Sequence, residues 1–149
     1  MLDATFFKKY GPELVACFRR AIFDPDGHGK KARDVYGKPY DKYSPEYAKS
    51  KRGGKMFKQA SRFKDSKAPV LSSDLALDFK WRGLISTGFK FGTLAHGGKV
   101  DHLAKLGRVI SSDSKPIPDK CSKMFMNLAD KYVKRELKKT KGQTINIKM

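Results

Sequence analysis

Apolar and polar positions alternate regularly along several stretches of the chain, and each regularity predicts an element. Leu14, Val15, Phe18, Ala21 and Ile22 recur at helical spacing, which predicts a helix with one core-facing stripe. Gly11-Pro12 interrupts the segment from Asp3 to Phe23. Because proline is tolerated in the first helical turn, the main helix is expected to begin there. Further on, Leu75, Leu77, Phe79 and Trp81 alternate with Ala76, Asp78, Lys80 and Arg82, the period of a strand with one buried face. Ile85, Thr87, Phe89 and Phe91 repeat that period, so the Arg82-Gly83 junction reads as the turn of an antiparallel hairpin.

After the break at His96-Gly97-Gly98, the spacing of Val100, Leu103 and Leu106 predicts a short helical turn, and Arg108-Val109-Ile110 one more short strand. The clearest pattern comes last. Cys121, Met124, Phe125, Leu128, Ala129, Tyr132, Val133 and Leu137 keep near-ideal helical spacing behind an opening at Pro116-Ile117-Pro118-Asp119. Pro118 and Asp119 suit a helix start, while Lys134, Arg135, Lys138 and Lys139 suit the negative end of its dipole. Past Gly142, Ile145 and Ile147 give residues 143–149 the character of a tail that adds as a strand to a neighbour's sheet edge.

The expected fold is therefore α+β: a small antiparallel sheet packed by an N-terminal and a long C-terminal helix, in a single domain over residues 1–142. Its core is expected to hold Leu75, Leu77, Phe79, Trp81, Phe89, Phe125, Leu128 and Tyr132. Between residues 27 and 68 the periodicity disappears and the chain reads as a long basic loop insertion, a length that compact domains keep for function or leave disordered.

Composition sharpens the picture. A chain of 149 residues suits one domain, and 33 Lys plus Arg against 15 Asp plus Glu give a formal net charge of +18. Ten Phe, six Tyr and one Trp argue that it folds, since disordered chains lack the large apolar groups that offset ordering entropy. No apolar run approaches a membrane span, and Met1-Leu2-Asp3-Ala4 does not open an export signal. The expectation is a protein that neither enters a membrane nor is exported.

Candidate chemistry is sparse. Asp24-Pro25-Asp26-Gly27-His28-Gly29 resembles the start of a calcium loop, but His28 and Val35 stand where oxygen ligands are needed, so it reads as a turn. Asp101 and His102 are adjacent and therefore point in different directions; with His96 they make no metal or base constellation. Lys51-Arg52-Gly53-Gly54-Lys55 lacks the spacing and the hydroxyl of a phosphate-binding loop. Cys17 and Cys121 read as reduced thiols packed as small hydrophobes. No enzyme activity, cofactor or metal is expected.

The basic loop is the stronger signal. Between Lys49 and Lys67 stand eight basic residues and the single acid Asp65. Lys49, Lys51, Arg52, Lys55, Lys58, Arg62 and Lys64 are the candidate anion-facing set, able to neutralise duplex phosphates without reading sequence or to dock on an acidic protein. The aromatics scattered through residues 27–68 (Tyr36, Tyr40, Tyr43, Tyr47, Phe57 and Phe63) suit stacking on bases or packing on a partner.

Short motifs add a resemblance. Tyr36-Gly37-Lys38-Pro39-Tyr40, then Tyr43-Ser44-Pro45-Glu46-Tyr47-Ala48-Lys49-Ser50-Lys51, then Pro69-Val70-Leu71-Ser72-Ser73-Asp74-Leu75 resemble the virion-morphogenesis and tail-completion proteins of tailed bacteriophages. Gly97-Gly98-Lys99-Val100, Gly107-Arg108-Val109-Ile110 and Lys115-Pro116-Ile117-Pro118 look like that group's glycine turn, arginine and proline-opened final helix. The likeness covers residues 36–137 and departs from the group at Ser72-Ser73-Asp74, where a Thr-Gly or Ser-Gly pair is commoner. It implies a non-enzymatic structural protein of the phage neck, synthesised in the host cytoplasm and built into the virion. It also implies a homo-oligomeric ring, six- or twelve-fold, that meets portal, neck or tail proteins, with the basic loop toward the DNA conduit or an adjacent acidic ring. The other class that fits size and charge is a ribosome-associated or general non-specific nucleic-acid-binding protein.

Overall fold

The computed structural model describes residues 2–53, 74–86 and 88–141. Helix α1 (Ala4–Ile22) starts earlier than the Gly11-Pro12 pair suggests, because Asp3 caps it: the carboxylate accepts the Phe6 backbone N–H at 2.8 Å. Pro12 is exposed inside the helix, while Gly11 beside it is buried. A Cβ at Gly11 would lie 2.8 Å from Nε1 of Trp81. The Gly-Pro pair thus marks a close helix–sheet contact and not a helix start.

Helix α2 (Pro45–Gly53) interrupts what the sequence presents as unbroken loop. Helix α3 (Asp74–Asp78) replaces the expected first half of a strand. In helical geometry Leu75, Ala76 and Phe79 turn inward and are buried, whereas Leu77 turns outward and is 58% exposed. The expectation that Leu77 belongs to the core is therefore wrong. Arg19 of α1 fixes this geometry, donating from Nε to the Phe79 carbonyl at 2.7 Å and from Nη2 to the Leu77 carbonyl at 3.0 Å. These carbonyls lie at the negative end of the short helix, where a cation is favoured.

Strands β1 (Lys80–Ile85) and β2 (Gly88–Gly92) pair antiparallel, with Trp81 opposite Phe91 and Leu84 opposite Phe89. The hairpin connection falls between Ile85 and Gly88, and not at Arg82-Gly83. Gly83 instead sits in the strand at φ +130°, where the register shifts between Trp81 and Gly83. Arg82 is the extra residue of this bulge, and a glycine at such a site accepts the backbone twist without strain.

Helix α4 (Gly97–Lys105) takes the place of the expected short helical turn, and helix α5 (Asp119–Lys141) follows the predicted stripe. The 108–110 segment is not a strand; its Val109 carbonyl accepts the Val35 N–H at 2.9 Å. The overall arrangement is α+β, with α1 against both strands and α5 against α1. Phe89 of the sheet meets Phe7 of α1 at 5.9 Å and Phe125 of α5 at 5.8 Å between ring centroids, so both helices cover one face.

The core has two parts. In one, Phe18, Ile22 and Phe23 pack with Val35, Tyr40, Leu75, Phe79 and Ile110. In the other, Leu14, Cys17 and Cys121 pack with Phe89, Met124 and Phe125. Tyr132 is buried as expected, while Trp81, Phe89, Phe125 and Leu128 are half-buried. The Tyr132 hydroxyl donates to both carboxylate oxygens of Asp3 at 2.9 and 3.0 Å, joining the cap of α1 to α5. The 143–149 tail lies outside the described residues.

Candidate functional site

The segment ahead of α2 folds around a carboxylate. Asp34 is buried, and its Oδ1 accepts the backbone N–H of Tyr36 at 3.0 Å and of Lys38 at 2.7 Å. Gly37, at φ +83°, donates its N–H to the Asp34 carbonyl at 3.0 Å. A short acidic side chain bonded to the backbone two and four residues on is a turn-forming device, and it presents Tyr36 and Tyr40 in defined directions.

Arg108 enters this turn from the distant segment that follows α4. The residue is only 5% exposed, and its guanidinium lies 3.9 Å from the centroid of Tyr43 and 5.8 Å from that of Tyr40. Nη2 donates to the Asp41 carbonyl at 2.7 Å. Tyr43 in turn stacks on Tyr47 of α2 at 4.6 Å. Arginine suits this place because its planar, always-charged head stacks on rings while it donates in its own plane. Burial pushes the Tyr43 phenol up to about 12, against the opposing pull of Arg108. Tyr40 is raised too, by burial first and then by Asp34, and its hydroxyl has no hydrogen-bond partner among the described residues.

A second clasp lies alongside. The Tyr36 hydroxyl shares a 3.2 Å hydrogen bond with Ser112, and the ammonium of Lys115 lies 5.7 Å from the Tyr36 ring. The Ser112 and Ser114 hydroxyls hold the Tyr36 phenol below its ordinary pKa. The Tyr-rich segment and the 108–115 segment are thus held together along their length by rings, cations and hydroxyls.

Asp78 organises the other end of the sheet. Its Oδ2 accepts the backbone N–H groups of Leu94, Ala95 and His96 at 3.0, 3.0 and 3.1 Å and meets His96 Nδ1 at 3.2 Å. Its Oδ1 meets Nη2 of Arg82 at 3.2 Å. Burial pulls this carboxyl upward, but the His96 side chain and the three backbone donors outweigh it and hold the pKa at about 2. His96 is thus a partner of a structural carboxylate. Beside it a cleft of about 370 Å³ is lined by Phe79, Phe91, Val100, Asp101, Ser111 and Pro116 among others.

The seven candidate anion-facing residues are placed only in part. Lys49 is exposed on α2, and Lys51 and Arg52 continue that helix. Lys55, Lys58, Arg62 and Lys64 lie outside the described residues. Cys17 and Cys121 are both free thiols, buried and brought together where α1 meets α5. Among the described residues no three His, Cys, Asp or Glu side chains converge to hold a metal, and no helix is long and apolar enough to cross a membrane.

The structural roles of Asp34 and Asp78 were not singled out from the sequence. Asp34 carries a local signal, an acid two residues before a Tyr-Gly pair; Asp78 carries only its i,i+4 spacing to Arg82, since its other donors come from Leu94 to His96. No family model matches the chain, and neither a curated protein nor a solved structure matches it.

Proposed function

We propose that the protein is a structural component of the tailed-phage neck, a tail-completion or head–tail joining protein that assembles into a ring. One observation carries the reading. The segments Tyr36–Tyr40, Tyr43–Tyr47, Gly107–Ile110 and Lys115–Pro118, which bear much of the motif resemblance, meet through Arg108, Tyr43, Tyr36, Ser112 and Lys115. Residues shared for their motif and also packed on one another form a framework, as expected where short motifs hold a fold together and do not perform chemistry. A buried Arg108 offers nothing to a ligand, so binding falls to the exposed basic faces.

The net charge of +18 supports the same reading. A ring lined with Lys and Arg would hold a polyanion by its backbone without reading bases. The test is the state of the purified full chain, by sedimentation velocity and negative-stain electron microscopy. Closed six- or twelve-fold rings are expected. A monomer at all concentrations that co-sediments with ribosomal particles would overturn the neck reading in favour of general nucleic-acid binding.

A further inference from the structure

Helix α5 has a second face that its core packing leaves unused. Lys120, Lys123, Asn127, Lys131, Lys134 and Lys138 recur every three or four residues, and all six are exposed. At 100° per residue these positions fall on one side of the helix, away from the line of Cys121, Leu128 and Tyr132 that faces the core. From Lys120 to Lys138 the row spans about 27 Å at ~1.5 Å per residue. Only one lysine of the row is neutralised within the described residues: Lys134 pairs with Asp130 at 2.7 Å. Asp119 is engaged by Lys115 at 2.8 Å and Glu136 by Lys139 at 3.0 Å. Among the described residues Lys120, Lys123, Lys131 and Lys138 form no ion pair, although Asp119, one turn back, attracts Lys123.

We propose that this lysine face is a polyanion-binding surface distinct from the 49–67 segment, and that its occupant is the phosphate backbone of duplex DNA. Three features favour a duplex over an acidic protein. The row is straight and held on a helix anchored by its opposite face, so the lysines spring from a fixed line of backbone and not from a mobile tail. Its one uncharged member is Asn127, and the exposed Met126 and Leu137 border the row without belonging to it, so the line itself is lysine without an aromatic or aliphatic anchor, whereas protein interfaces are depleted in lysine and depend on such anchors. Lysine acts as a point charge without planar geometry, which suits sequence-independent phosphate contact. A duplex carries one charge per ~1.7 Å of axis counting both strands, so a segment of this length bears about sixteen phosphates, some of which face the row in any register. The proposal does not depend on the ring reading.

The test is the salt dependence of binding to a 30-base-pair duplex of arbitrary sequence, measured by fluorescence anisotropy on the full-length protein. Wild type is compared with a variant carrying Lys120→Gln, Lys123→Gln, Lys131→Gln and Lys138→Gln. Glutamine and lysine have similar helix propensity, and circular dichroism checks that the helix remains. Each lost phosphate contact lowers the log-log slope by about 0.9, so four lower it by about 3.6. Between 50 and 200 mM salt the variant should then lose roughly 150-fold less affinity than wild type. A control with Lys30→Gln, Lys31→Gln, Lys99→Gln and Lys105→Gln removes the same charge from exposed sites elsewhere and should lower the slope by less than about 1. An unchanged slope in the α5 variant overturns the proposal. So does an equal drop in the control, because binding would then follow net charge alone. Wild-type affinity for polyglutamate equal to that for the duplex would assign the face to a protein partner instead.

Discussion

Removing the Arg108 side chain tests whether the Tyr-rich segment is locked by that one cation. In Arg108→Ala the Asp41 carbonyl loses a charged donor at 2.7 Å, and the Tyr43 ring loses a guanidinium 3.9 Å from its centroid. A hydrogen bond to a charged group contributes about 1.5–3 kcal/mol. A largely desolvated cation–π contact contributes about 1–2 kcal/mol. Direct addition gives about 2.5–5 kcal/mol, the upper range for two contacts that act through one side chain and are not independent, and a large share of the ~5–15 kcal/mol typical of a domain. Thermal unfolding should move down by roughly 5–20 °C for a chain of this size. Arg108→Lys keeps the charge but not the planar stack, so it should fall between the two. Tyrosine titration gives a second readout: if the segment opens, the Tyr43 phenol, pushed up to about 12 by burial, returns toward its ordinary value of 10.0. Urea denaturation placing Arg108→Ala within about 0.5 kcal/mol of wild type, the range of ordinary surface substitutions, would refute the lock.

Three further outcomes are expected. Gly11→Ala should destabilise by about 1–3 kcal/mol although alanine favours helix, because overpacking outweighs propensity; its Cβ would press on Trp81 Nε1 at 2.8 Å. Trp81 is the only tryptophan, so its fluorescence reports the same site, and an Ala variant at least as stable as wild type would disprove the close contact. For Asp78, a pKa held at about 2, below the ordinary 3.8, makes its contribution complete above the ordinary value and lost as pH falls from about 4 toward 2. Acid unfolding of Asp78→Asn should therefore flatten across that window, and a profile parallel to wild type would contradict the assignment. Burial, and after it the contact with Cys17, pushes the Cys121 thiol up, so neither cysteine should react with a thiol reagent until denaturant is added; rapid labelling of the native protein would show that the α1–α5 seam opens.

How much of this was legible depended on where each element's partners lie in the chain. Helix α5 declares itself because its stripe, proline opening and basic last turns are all local. The fold class follows from two stripes and two alternating runs. Asp74–Asp78 misleads because Leu75, Leu77 and Phe79 satisfy a strand's period, while the helix that forms is fixed by Arg19, far away in sequence. Gly83 misleads in the opposite way: a glycine between alternating runs marks a turn or a bulge equally well, and only the pairing of Trp81 with Phe91 decides. Pro12 reads as a start because proline usually is one, yet Asp3 supplies a better cap further back. In the Tyr–Arg lock, the tyrosines and Arg108 are all visible as motif residues, but their stacking needs the fold. The lysine face of α5 was open to sequence reasoning, since its spacing is local. The denser charge at residues 49–67 is the stronger local signal and masks it.

The same charge acts on stability and on binding with opposite signs. Lys120 and Lys123, and likewise Lys131, Lys134 and Lys138, sit about one helical turn apart, roughly 5–6 Å, well inside the ~10 Å Debye length at 0.1 M salt, while Asn127 separates the two groups by about 12 Å. In the free protein they repel one another, and a net charge of +18 adds a diffuse repulsion over the whole chain. Added salt screens both, so the isolated protein gains stability over the very range in which it loses affinity for a polyanion. A ligand that binds only the folded chain stabilises it in proportion to the logarithm of its concentration over Kd. Phosphates laid along α5 would therefore relieve the repulsion that salt otherwise screens. Arg108 does not take part in that exchange, because it is buried among tyrosines and paired with a neutral carbonyl. The chain therefore uses its cations in two ways: a few, such as Arg19, Arg82 and Arg108, are spent on carbonyls, carboxylates and rings that hold the fold, while the exposed lysines remain available to a partner.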